Sequence, residues 1–168
     1  KDIAVDSGFA VLAGGAFIGE HSFSDYEFLI APSRPDEGDL EAAFLFGQKI
    51  ADLLEGIETP ADISELEVPG NFPYKEGMGD GAFAFIDVTE DCDDCGICAV
   101  ACPKEAIDEA DNYSTIDARC IFCCACIKAC PQQARIMKPG PMKDKAKWLS
   151  ENCAQRKEPQ TFLGLVNR

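Results

Sequence analysis

Basic residues are scarce in this 168-residue chain: 15 Lys and Arg stand against 30 Asp and Glu, a formal charge of −15. That balance argues against nucleic acid as a partner, because neutralising a phosphate backbone takes clustered cations. It suits a protein that docks basic partners, and equally one that is simply kept soluble. Long apolar runs are missing too. The most apolar stretch, FAVLAGGAFIG at 9–19, is broken by glycines and falls short of the roughly 20 residues that span a bilayer. No signal-peptide pattern is read at the start. Histidine occurs once, as His21, and no nucleophile–base set or paired-carboxylate site stands out. The glycine-rich GGAFIG at 14–19 lacks G-x-G-x-x-G spacing and a Walker lysine, and no helix starts directly after it.

Cysteine, by contrast, is abundant, with ten in all. With nothing to direct export, these read as metal ligands in a reducing cytoplasm rather than as disulfides. CDDCGICAVACPKEA at 92–106 recurs as CIFCCACIKACPQQA at 120–134, a constant shift of 28. Cys92, Cys95, Cys98 and Cys102 map onto Cys120, Cys123, Cys126 and Cys130, and Pro103 maps onto Pro131. Each half is C-x2-C-x2-C-x3-C-P, the bacterial-ferredoxin run in which the fourth cysteine ligates the other cluster. Three cysteines at steps of three let a tight loop wrap three corners of a cubane, with loop amides free to hydrogen-bond its sulfurs. The fourth lies beyond a helical turn and points away. The expectation is two [4Fe–4S] clusters, one on Cys92, Cys95, Cys98 and Cys130, the other on Cys120, Cys123, Cys126 and Cys102. The alternatives are structural zinc, which usually pairs one C-x2-C with a distant second, and a disulfide framework.

Two cysteines are left over. The shift places Cys124 opposite Gly96, where the loop wants a small residue, so it reads as a buried filler. Cys153 lies on the apolar face of a helix candidate formed by Met142, Ala146, Leu149 and Cys153, and reads the same way. Trp148 reads as an anchor for that helix. His21 reads as a loop cap in preference to a cofactor contact.

Along the chain, residues 9–18 predict a strand buried on both faces, as in parallel sheets. A helix follows, with Leu40, Ala43, Phe44, Gly47, Ile50, Ala51 and Leu54 as its apolar stripe. Asp36, Glu37, Asp39 and Glu41 complement its start, and Gly56 can end it. Proline and the glycine-rich EGMGDG mark a linker, and PGP at 139–141 closes the cysteine region. Four segments result: 1–58, 59–82 (linker), 83–138 (cysteine domain) and 139–168 (helical tail). Residues 1–58 hold 12 acids and 3 bases, whereas 139–168 hold 6 bases and 3 acids, so the tail can fold back on acidic neighbours.

Beyond the cysteine runs, GGAFIGEHSFS (14–24), SRPDEGDLEAAFLFGQKIADLL (33–54), VPGNFPYKEG (68–77) and WLSENCAQRKEPQTFL (148–163) make the chain resemble the flavodoxin–ferredoxin fusion proteins of anaerobic microbes. The resemblance spans nearly the whole chain. It implies an α+β two-cluster ferredoxin-like domain at 83–138 with two short helices and two small hairpins. Segment 1–58 would then be the C-terminal part of a flavodoxin-like α/β domain. It also implies that the chain, which begins at KDIAVDSGFAV, is a fragment, and that FMN binds only where the preceding part of that domain is present.

The function expected is one-electron transfer between a flavin and an external redox protein with a basic docking surface. The alternative is the electron wiring of a flavin-dependent oxidoreductase with its own substrate. A third reading, clusters with a purely structural or sensory role, has no residue that favours it.

Overall fold

The computed structural model describes residues 1–74 and 84–165. All of the glycine-rich EGMGDG in the linker and the expected start of the cysteine domain at 83 lie outside the described residues. In chain order the elements are α1 (Asp2–Asp6), β1 (Ala13–Ala16), α2 (Glu37–Leu54), β2 (Ile86–Val88), α3 (Ile97–Val100), β3 (Ile107–Asp108), β4 (Ser114–Thr115), α4 (Ala125–Ala129), β5 (Arg135–Met137), α5 (Pro141–Asn152) and β6 (Gln160–Leu163). They fall into two compact units that alternate along the chain. One comprises Lys1–Gly19, Ser33–Gly77 and Lys157–Arg168; the other comprises Glu20–Pro32 and Met78–Arg156.

In the first unit, α2 starts where its acids dictate. The Asp36 carboxylate accepts from the Asp39 amide at 3.0 Å and the Asp39 carboxylate accepts from the Asp36 amide at 2.9 Å, a reciprocal cap on two otherwise orphaned donors. Asp39 is fully buried, and the Arg34 guanidinium grips its carboxylate with two donors. Arg34 also donates to the Lys157 carbonyl at 2.8 Å, so one side chain ties the helix start to the distant end of the chain.

The helix lies where its sequence placed it, but it packs with a different stripe. Ala42, Phe46, Ile50 and Leu53 are half-buried, whereas Leu40, Ala43, Phe44, Gly47, Ala51 and Leu54 face outward, Phe44 at 66% exposure. Two apolar stripes share this helix, and periodicity alone does not say which one its own unit covers.

β1 is also shorter and less buried than its composition suggested. It pairs antiparallel with β6, from Ala13↔Leu163 to Ala16↔Gln160, in a two-stranded ribbon. A partner from the far end of the chain displaces the expected parallel neighbours, and a two-stranded ribbon cannot cover both faces of a strand. At Gly15 a Cβ would come within 2.8 Å of Phe17 and 3.0 Å of Phe46 on α2, so the glycine lets ribbon and helix approach closely.

The second unit holds nearly all of the core. Phe23, Ile30, Phe85, Ile86, Cys98, Cys124, Cys126, Ile127, Met137, Met142 and Ala146 form one buried cluster. β3 and β4 make a hairpin, while β2 pairs antiparallel with β5, Ile86 opposite Met137. The expected two hairpins are therefore one hairpin and one closure between the unit's outer strands.

The shift of 28 carries α3 onto α4, β2 onto β4 and β3 onto β5, so both two-stranded sheets of this unit take one strand from each half. α5 buries Met142 and Ala146, with Leu149 and Cys153 half-buried on the same face. Trp148 is not its anchor. It is 50% exposed, off the packed face, with the Lys145 ammonium 4.2 Å from its ring centroid. Lys143 on α5 pairs with Glu27 at 2.6 Å, as the charge of the tail suggested.

His21 caps its loop: Nδ1 accepts from the Phe23 amide at 3.0 Å, which presents Phe23 to the core. Burial, and then the nearby Lys128 and Lys145, hold its pKa below the ordinary 6.5.

Two outcomes follow. Asp39→Ala removes the half of the reciprocal cap that the Asp39 carboxylate makes, and the carboxylate that Arg34 grips, a loss on the order of 3 kcal/mol. Amide hydrogen exchange should show α2 losing protection, while unit-two strands β2 and β5 keep theirs. For His21, the unfolded chain binds the proton more readily than the folded one. Its contribution to stability is complete above about pH 6.5 and declines as pH falls towards the depressed folded value. An NMR titration should place the folded His21 below the urea-unfolded one, and equal values would contradict this account.

Candidate metal centre

Each cysteine loop is shaped by left-handed backbone at matching places. Asp94 and Phe122 have φ of 58° and 58°, Gly96 and Cys124 of 73° and 56°, and Glu105 and Gln133 of 49° and 53°. Every pair is related by the shift of 28. The first two positions turn the chain tightly between successive cysteines, and Gly96 and Cys124 open α3 and α4 as their N-caps. The third redirects the chain after the proline, so that the Ala106 amide donates to Cys102 Sγ at 3.2 Å and the Ala134 amide to Cys130 Sγ at 3.3 Å. Cys95 and Cys120 in turn accept from the amides of Ile97 and Phe122. Amides aimed at sulfur are the donors that thiolate–cluster sites use.

The fourth cysteines cross between halves. Cys102 lies close enough to Cys120 and Cys126 for their charges to interact, and Cys130 likewise lies close to Cys95. One cavity is lined by Cys102, Cys120, Cys123, Cys124 and Cys126, with Ile86, Ala106, Ile107 and Ile121 as apolar wall. Four of those five thiols, all but Cys124, are the second expected ligand set. Of the first set, Cys98 is buried, Cys92 is half-buried and Cys95 is exposed. Cys92 and Cys98 lie by Tyr113, whose hydroxyl donates to the Asp94 carbonyl at 2.9 Å across the loop. Among the described residues no three His, Cys, Asp or Glu side chains converge on a single-ion site.

Burial pushes the thiols of Cys120 and Cys126 up from their ordinary values; the Phe122 amide opposes this at Cys120 and Arg135 at Cys126. At Cys95 the Ile97 amide favours thiolate, yet Asp93, partial burial and Cys130 raise the thiol overall. Iron binding reverses such shifts by deprotonating the ligand outright. The donor set therefore fits [4Fe–4S] clusters on three counts: thiols in repeated loops, amides pointing at their sulfurs, and an apolar wall.

Cys124 is 2% exposed, and its Sγ lies 3.8 Å from the Phe122 carbonyl. Burial pushes its thiol up to about 12. It is a core residue, as its place opposite Gly96 indicated. The position demands a left-handed conformation as well as a small side chain, which explains the glycine in the other half. Cys153 is half-buried at the end of α5.

Sequence reading missed Arg135. It follows directly on the second cysteine run and is 1% exposed. Its Nη1 donates to the Tyr113 carbonyl and lies 3.9 Å from Cys98 Sγ, its Nη2 donates to Thr115 Oγ1 at 2.6 Å, and it also hydrogen-bonds Cys126. The signal was present: the shift of 28 sets Arg135 opposite the apolar Ile107.

Residues 85–108 match the model of the 4Fe-4S binding domain family. A curated relative, Ferredoxin Fdx2 of Sorangium cellulosum (strain So ce56), is 39% identical over 59 residues, which cover 31% of this chain and 58% of that protein. The chain thus spans little more than half the length of the relative. No solved structure matches it. Together these matches support an iron–sulfur cofactor and an electron-transfer role for the cysteine unit. No helix among the described residues is long and apolar enough to cross a membrane.

Replacing Cys124 with Gly supplies the residue that the other half uses, so iron content should stay unchanged. Replacing Cys102 with Ala should cost up to about four irons per chain, the complement of one cluster. Elemental analysis of anaerobically purified protein reads both, and a loss of iron in Cys124→Gly would make that thiol a ligand after all.

Proposed function

We propose that the cysteine unit holds two [4Fe–4S] clusters and carries single electrons between a flavin and an external redox protein. Cys92, Cys95, Cys98 and Cys130 hold one cluster, and Cys102, Cys120, Cys123 and Cys126 hold the other. The observation that carries this reading is the duplication at backbone level: three left-handed positions and one amide-to-sulfur bond recur in each half at the same spacing as the cysteines. Bound [4Fe–4S] clusters would supply one-electron redox chemistry at potentials set by hydrogen bonds, charge and exposure.

What the chain supplies is placement. The exposed Cys95 is flanked by exposed Asp91, Asp93 and Asp94, while Ile97 and Val100 expose apolar surface just beyond. An apolar patch with an acidic border suits a partner whose own contact surface is basic. The flavin donor, with residues 1–58 as the C-terminal part of a flavodoxin-like domain, rests on the resemblance of the front and tail segments. The resemblance is to proteins of anaerobes, and ten cysteines read as metal ligands support a reducing, cytoplasmic setting.

Anaerobic absorption spectra with an iron count test the core of this proposal. About eight irons per chain and a broad charge-transfer band that bleaches with dithionite and returns on oxidation are expected. About four irons would leave one site, and clusters that cannot be cycled would rule out a carrier.

A further inference from the structure

Among the described residues, Arg135 is the one charged side chain buried within the cysteine core, and no carboxylate pairs with it. No ion pair among the described residues includes it. Its recorded hydrogen-bond partners are a carbonyl, a hydroxyl and the sulfurs of two cysteines. Its Nε is the single buried side-chain nitrogen or oxygen without a hydrogen-bond partner among the described residues. A buried cation with an unused donor is strongly unfavourable unless anionic groups face it. Here two cysteines face it, one from each run: Cys98 and its repeat mate Cys126. The repeat itself does not require a cation, since the equivalent position in the first half is Ile107. Tyr113, just before β4, and Thr115, within it, hold the guanidinium in place through its other donors.

We propose that Arg135 is a positioning residue shared by the two cluster sites, its guanidinium donating to the third cysteine of each run and its free Nε to the sulfur of a bound cluster. The proposal rests on the two-cluster reading above. Donors and positive charge aimed at ligand sulfurs favour the more negative, reduced form. Arg135 therefore holds both sites at higher potential than the acidic surroundings alone would set. Each reduction adds one electron from the reductant, and Arg135 neither gains nor loses a proton in it.

The test is potentiometric, followed by EPR, on the full chain carrying Arg135→Gln or Arg135→Lys, with iron counted on the same samples. Arg135→Gln should keep its iron and shift the reduction equilibrium of both sites at least tenfold towards the oxidised form, about 59 mV for a one-electron couple. Arg135→Lys keeps the charge but not the fork, so its potentials should fall by less, and unequally between the two sites. Unchanged potentials in a fully loaded Arg135→Gln would overturn the proposal. Should that variant fail to load, Arg135→Lys decides: potentials equal to wild type at both sites overturn the proposal, and unequal lowering supports it. A wild-type protein with about four irons would instead sink the two-cluster reading, which separates the two failures.

Discussion

A left-handed turn between cysteines is the constraint on which the rest of this molecule depends. Thiols three residues apart can face one centre only if the chain coils tightly between them, and L-residues resist that coil. The chain accepts the strain at Asp94, Phe122, Cys124, Glu105 and Gln133, and avoids it once, at Gly96. Once both loops are turned, each fourth cysteine lies beyond a short helix, close to the thiols of the opposite half. The sheets repeat that exchange, with β2 pairing β5 and β3 pairing β4 across the halves. Neither half can close its ligand set or its sheet alone, so under the proposed ligation cluster binding and folding of this unit are one event.

The core follows from the same arrangement. Cys98, Cys124 and Cys126 belong to the buried cluster with Phe85, Ile86, Ile127 and Met137, so ligand loops and hydrophobic core are the same residues. Elements outside the repeat complete it. The 20–32 loop adds Phe23 and Ile30, steadied by the His21 cap, and α5 adds Met142 and Ala146. These additions exclude water from one side of the loops, while Cys95 and its aspartates remain at the surface. Shielding on one side with exposure on the other gives a candidate route for electrons.

What could be read from the sequence varied with how local the cause was. The repeat announced itself in the cysteine spacing, and its shift of 28 also set Cys124 opposite Gly96; that the same shift relates the helices and strands emerged only with the structure. α2 was legible from its caps, but the face it packs was not, because Phe44 and Phe46 head competing stripes. β1 was misjudged because its partner, β6, lies almost the whole chain away. Trp148 illustrates the same limit: size suggested an anchor, and its place on α5 put it off the packed face. Arg135 was legible in principle, as the cation standing where the repeat has Ile107, but a basic residue after a cysteine run looks like surface until its burial is seen.

The central claim is two clusters held in one unit by crossed ligands, and the EPR spectrum of the fully dithionite-reduced protein tests it most directly. Two reduced clusters tied together by exchanged cysteines should give a spectrum broadened and split by their interaction, integrating to about two spins per chain. A single unsplit signal integrating to about one spin would contradict the account, leaving one half of the repeat with a different task.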